Sequence, residues 1–207
     1  MAQLNVSLVL IFLSIFCITG TVESAGIRSR NRAYIEAQCQ STRYPELCVK
    51  SLSEYVNSTA RSPQQLAQLS LTVSLTKARN ARAFMARVVT QLKQSKDMDY
   101  QPVKDCIAQI NDGVDQLTQS IKELQLMGQS GPDKFMWHQN NVLTWVSAAL
   151  TDVNTCVDGF SGRAAMGGKL RATIKAMVLN VAQLTSNALV LFHRFAAWQR
   201  VTGARKP

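Results

Sequence analysis

Residues 145–160 read Trp-Val-Ser-Ala-Ala-Leu-Thr-Asp-Val-Asn-Thr-Cys-Val-Asp-Gly-Phe. Together with Val142, the residues Trp145, Val146, Ala149, Val153 and Cys156 recur at steps of three and four, the mark of a helix with one apolar face. That face ends on a thiol, which is a nucleophile, a metal ligand or half of a disulfide, and the choice sets the compartment of the whole chain. Working outward, the same period returns in each long segment. Leu170, Ile174, Met177, Val181, Leu184, Ala188, Leu191, Phe195 and Trp198 alternate steps of four and three, which reads as a core stripe. Val103, Cys106 or Ile107, Ile110, Val114, Leu117, Ile121 and Leu124 do likewise in a helix opened by Pro102. Leu66, Leu69, Val73, Phe84, Val88 and Leu92 line a further helix expected from Pro63 to about Lys93. Strand-type alternation is missing and no repeat of roughly 20–50 residues is visible. Four long amphipathic helices joined by loops of about ten residues or fewer predict an all-α fold, an up-down-up-down four-helix bundle over residues 63–201.

Ahead of the bundle, residues 27–57 read as a short helical hairpin. Tyr34, Ile35, Leu47, Leu52 and Val56 supply apolar contacts, and Thr42, Tyr44 and Pro45 mark the break. Earlier still, residues 6–18 form an apolar run of 13, too short to span a bilayer and the right length for a secretory leader. Small residues at Thr19, Gly20, Ser24 and Ala25 place cleavage after residue 24, giving a signal peptide over 1–24 and a mature domain over 25–207 with no membrane attachment. Cleavage removes Cys17 and leaves Cys39, Cys48, Cys106 and Cys156, an even set that reads as a disulfide framework with three possible pairings. Cys39 and Cys48 flank the hairpin break. Cys106 and Cys156 each lie 25 residues from Gly131, so they meet if the second and third bundle helices fold back there. The pairing expected is therefore Cys39 with Cys48 and Cys106 with Cys156. Asn57-Ser58-Thr59 is a glycosylation sequon at the end of the hairpin.

The net charge is +10, and its distribution says more than its size. No acid lies between Glu54 and Asp97 or after Asp158, whereas Asp99, Asp105, Asp112, Asp115, Glu123, Asp133 and Asp152 crowd the middle. In a sequential bundle the first helix touches the fourth and the second touches the third, so basic and acidic residues fall on opposite sides. Catalytic chemistry finds no footing. His138 and His193 stand alone, no spacing suits zinc, and no Ser-His-Asp or Cys-His set is suggested. The glycine cluster at 162–168 lacks the Lys-Ser/Thr ending and the preceding strand of a phosphate-binding loop. Asp112 and Asp115 read as solvated acids. No cofactor is expected, and no aromatic residues interleave with the basic ones as nucleic-acid recognition requires. The chain reads as a binder.

The segments Cys39-Gln-Ser-Thr-Arg-Tyr-Pro-Glu-Leu-Cys48 and Trp145-Val-Ser-Ala-Ala-Leu-Thr, with Thr155-Cys-Val-Asp-Gly-Phe160, occur in an order that resembles the plant pectin methylesterase inhibitor and invertase inhibitor family across the mature chain. The resemblance implies a secreted bundle of the apoplast or cell wall, with the same disulfide pairing. It also implies one-to-one inhibition of a wall carbohydrate-active enzyme, with no catalysis of its own. Invertase inhibitors carry Pro-Lys-Phe before the third helix, whereas Asp133 here separates Pro132 from Lys134 and Phe135. The wording of the two motifs is closer to the pectin methylesterase inhibitor branch. That resemblance makes Asp112, Asp115, Gln119, Glu123, Asp133, Phe135 and Asn141 the candidates for partner contact. Invertase is the alternative target, and anionic pectin a further alternative partner for the basic side.

Overall fold

The computed structural model describes residues 26, 28–55, 62–127, 131–160 and 168–203. Among them are six helices and no strand: α1 over 28–39, α2 over Pro45–Ser53, α3 over Pro63–Gln94, α4 over Tyr100–Met127, α5 over Pro132–Gly159 and α6 over Lys169–Gly203. The expected leader at 1–24, Asn57 and the glycine cluster up to residue 167 lie outside the described residues.

Prolines set several helix starts. Pro45, Pro63 and Pro132 each occupy the first turn of their helix, where a missing N–H costs nothing. Ser62 caps α3 by accepting a hydrogen bond from the Gln65 N–H at 3.2 Å. Pro102 was expected to begin its helix, but α4 starts two residues earlier at Tyr100, because the first turn tolerates proline throughout. The exit of α3 is a tight reversal: the Asp97 N–H donates to the Leu92 carbonyl at 3.0 Å, and Lys96 takes φ 52° to allow it.

α3 and α6 pack along one side of the bundle, α4 and α5 along the other, in sequential antiparallel order. A single core runs through all four, with Leu71, Met85, Ile110, Leu117, Leu124, Val142, Val153, Ile174, Phe192 and Phe195 each at most 2% exposed. A smaller core fastens the α1–α2 hairpin: Ile35, Cys39, Cys48 and Leu52 pack on Leu66 and Val73 of α3 and on Leu184 and Leu191 of α6. Burial raises the phenol of Tyr34 in this hairpin above its ordinary value, with Arg194 opposing. By length and composition α6 is apolar enough to cross a membrane, yet half of its most apolar window is buried inside the fold. The buried hydroxyls of Ser74 and Thr185 meet between α3 and α6. Thr185 donates its proton to the Val181 carbonyl, so Ser74 is the donor to Thr185.

Two aromatic residues of the expected stripes point outward. Trp198 is 47% exposed. Ser74 stands opposite Thr185, so Trp198, thirteen residues farther on, lies past the Pro63 start of α3. Trp145 is 39% exposed, at the edge of the inward arc of α5.

Candidate functional site

The α4–α5 pair is joined at three levels. At one end Cys106 and Cys156 form a disulfide, Cα to Cα 4.6 Å. Near the middle, a side chain built at Gly113 would touch Val153 at 3.5 Å and the Ala149 carbonyl at 3.7 Å, so the two backbones run close together. Toward the other end, His138 Nδ1 lies 2.6 Å from a carboxylate oxygen of Glu123. These contacts define a seam, and the helical period then assigns the residues flanking it.

On α4 the outward stripe beside the seam is Asp105, Gln109, Asp112, Gln116, Gln119, Glu123 and Leu126, again in steps of four and three. On α5 it is Trp137, Asn141, Trp145, Ala148, Asp152 and Thr155. Asp105, Gln109 and Thr155 do face each other across one groove beside the Cys106–Cys156 bridge. The result is a long surface with four carboxylates and two exposed tryptophans, Trp137 at 66% and Trp145 at 39%. Large aromatic side chains standing on a polar surface are the residues that most often anchor protein partners.

Of the expected contact residues, Asp112, Gln119, Glu123 and Asn141 come together on this surface. Asp115 is exposed one step farther round α4, away from α5. Phe135 turns inward and packs against the bundle core. Asp133 lies in the first turn of α5, where its backbone alone is described. Glu123 is half-buried and held by His138. Trp137 and Trp145 were absent from the expected set, although a tryptophan at the rim of an apolar arc is a recognisable signal.

The basic side is less continuous than the charge map implied. Arg171 is 7% exposed; its guanidinium sits 5.7 Å from the Phe160 ring centre and 4.0 Å from Asp99, at the foot of the bundle. Arg194 reaches back to the hairpin and donates to Gln38 at 3.0 Å and Ser41 at 3.1 Å. Asn187, also on α6, clasps the Tyr44 backbone, accepting from its N–H at 3.0 Å and donating to its carbonyl at 2.9 Å. Cys39 and Cys48 are bridged as expected, Cα to Cα 5.6 Å. The four cysteines among the described residues are therefore oxidised and buried, and none of these four is a nucleophile. Among the described residues no group of three or more His, Cys, Asp or Glu side chains is placed to hold a metal ion.

Residues 33–191 match the protein family described as plant invertase/pectin methylesterase inhibitor. Pectinesterase inhibitor 9 of Arabidopsis thaliana is 46% identical over 171 residues, covering 82% of this chain and 83% of that protein. Pectinesterase inhibitor 11 of the same plant is 41% identical over 198 residues, covering 94% of this chain and 97% of that one. The 21 kDa protein of Daucus carota is 40% identical over 164 residues, 79% of this chain and 84% of its own. In three dimensions the fold resembles the crystal structure of a mutant form of a pectin methylesterase inhibitor from Arabidopsis. The TM-score is 0.59 at 18% identity, over 75% of this chain and 92% of that one. The motifs, the disulfide-tied bundle and the extent of these matches agree: the chain belongs to the plant invertase/pectin methylesterase inhibitor family.

Proposed function

We propose that this protein inhibits pectin methylesterase by laying the outer α4–α5 surface over the enzyme's substrate cleft, one inhibitor to one enzyme, and so limits pectin demethylesterification. The observation that carries the reading is the identity of 41% to a protein named as a pectinesterase inhibitor across 94% of this chain. A family of inhibitors needs no reactive group, and the four cysteines are consumed in structural bridges. The α4–α5 surface is favoured over the rest of the molecule because it combines carboxylates, for a basic enzyme surface, with the exposed rings of Trp137 and Trp145. Asp112, Gln119, Glu123 and Asn141 contribute polar contacts, Asp115 extends the charge at the rim, Phe135 fixes the start of α5 from inside, and Asp133 stays a candidate contact by its position in the first turn of that helix.

In this reading, residues 1–24 are a signal peptide, residues 25–207 the secreted inhibitor of the apoplast, and Asn57 a glycosylation site at the end of the hairpin. The test is demethylation of pectin by a purified plant pectin methylesterase, titrated with oxidised mature protein between about pH 5 and 7, with an acid invertase assayed in parallel. Stoichiometric loss of esterase activity is expected. Inhibition of invertase alone would move the target to the other branch of the family, and inhibition of neither would refute the proposal.

A further inference from the structure

On the side of the molecule away from α4 and α5, the hairpin does not lie flush on the bundle. Between α2, α3 and α6 it leaves a pocket of about 210 Å³. The floor is apolar and buried, formed by Val73 and Leu184. The rim carries Lys50, Glu54 and Tyr55 from the hairpin, Thr76 and Lys77 from α3, and Asn180 from α6. We infer that this pocket is a binding site for an acidic sugar, a uronate residue of a wall polysaccharide.

The argument is one of matched chemistry. Lys50 and Lys77 are both exposed, and no carboxylate pairs with either among the described residues. Two ammonium groups held on separate elements around one concavity suit a ligand carboxylate better than they suit each other. Glu54 would repel a simple anion, but on a sugar it is an acceptor for hydroxyl protons, as is the Asn180 amide oxygen. Thr76 donates its own proton to the Thr72 carbonyl at 2.8 Å and so faces the pocket as an acceptor. The Tyr55 ring, 38% exposed, offers a flat apolar face for the C–H side of a pyranose. Cations, hydroxyl acceptors and an aromatic face together fit a charged carbohydrate rather than a phosphate or an acidic peptide. The volume lies below the roughly 300–1,000 Å³ of sites for drug-sized ligands. A single ring fills it, and a polymer continues into solvent at either side.

Because the pocket and the α4–α5 surface lie on opposite sides, occupancy of one leaves the other open. The protein would then hold to the wall polymer while engaging a partner. The test is calorimetric titration of the oxidised mature protein with trigalacturonate at about 0.15 M salt, near physiological ionic strength. Saturable one-to-one binding is expected, weakened about tenfold or more in Lys50→Gln/Lys77→Gln, as loss of charge-assisted contacts predicts. Tyr55→Ala should weaken it without altering charge, and the fully methyl-esterified trimer should bind as poorly as the lysine variant. Arg79→Gln/Arg87→Gln removes two exposed cations of α3 outside the pocket and should change affinity less than about twofold. Absence of saturable binding overturns the inference. So does equal binding by the lysine variant or the methyl ester, or an equal loss in the arginine variant. Esterase inhibition, measured on the same variants, should be unchanged, which separates this site from the inhibitory surface.

Discussion

Replacing both Cys106 and Cys156 by alanine removes a bridge between positions 50 apart in sequence. Each cysteine lies 25 residues from the Gly131 turn, about 37 Å along a helix, so the bridge closes the open end of the α4–α5 hairpin, the end that its own connection does not hold. In the chain-entropy model a loop of this length is worth about 4 kcal/mol, against about 2.5 kcal/mol for the loop of separation 9 between Cys39 and Cys48. Both sulfurs are buried, and the Met85 sulfur lies 3.4 Å from that of Cys106, so alanine adds a packing loss in the same direction. For a chain of this size the larger loss corresponds to a melting temperature lower by about 8–16 °C. The double substitution avoids a stray thiol that would dimerise. Thermal melts followed by circular dichroism read the effect, with the Cys39→Ala/Cys48→Ala protein as the internal comparison. Inhibition should fall with the α4–α5 bridge, which flanks the proposed contact surface, and should survive loss of the hairpin bridge at temperatures where both proteins are folded. A Cys106→Ala/Cys156→Ala protein that melts within about 2 °C of the parent, or loses less than the hairpin variant, would refute the reasoning.

Three further outcomes follow from particular contacts. Asn187→Ala strips both hydrogen bonds from the Tyr44 backbone in a part-buried setting, and should destabilise the fold by about 2 kcal/mol in urea titration. Gly113→Ala and Lys96→Gly should each stabilise by roughly 0.5–1 kcal/mol in the same titration. The first puts a better helix former where its Cβ meets neighbours at ordinary contact distance, and the second relieves a left-handed lysine. Trp137→Ala should leave the melting temperature within about 1 °C, because the ring is mostly in solvent, while weakening esterase inhibition by at least about tenfold if the ring anchors the enzyme.

Much of the fold was legible because helix period and half-buried stripes are local properties. The inward residues Ile110, Val114, Leu117 and Leu124 are the ones the period marks on α4. The second disulfide was legible because a fold-back at a known turn fixes which positions stand opposite. What the sequence could not convey was the reach of each stripe. Trp145 and Trp198 share the phase of buried neighbours, but one sits at the rim of its arc and the other beyond the end of its partner. Nor does charge count reveal employment. Arg171 and Arg194 belong to the basic helix by composition, yet one is buried against Phe160 and Asp99 and the other ties down the hairpin. Asn187 carries no signal in the sequence, because its partner, the Tyr44 backbone, lies 143 residues away and meets it only once the hairpin packs on α6.

The segment 145–160 carries both halves of the argument about the surface. Its inward residues Val146, Ala149, Val153 and Cys156 are at most 3% exposed and fix how α5 is rotated against α4. Its other edge, Trp145, Ala148, Asp152 and Thr155, is presented outward by that same rotation. A slip of one residue along a helix turns every side chain by about 100°. It would carry Trp145 into the seam and separate the disulfide partners. The Cys106–Cys156 bridge and the close-packed buried residues of the seam make such a slip costly. The rigidity of the proposed contact surface therefore comes from the seam behind it, and substitutions in the seam should alter inhibition without touching the partner.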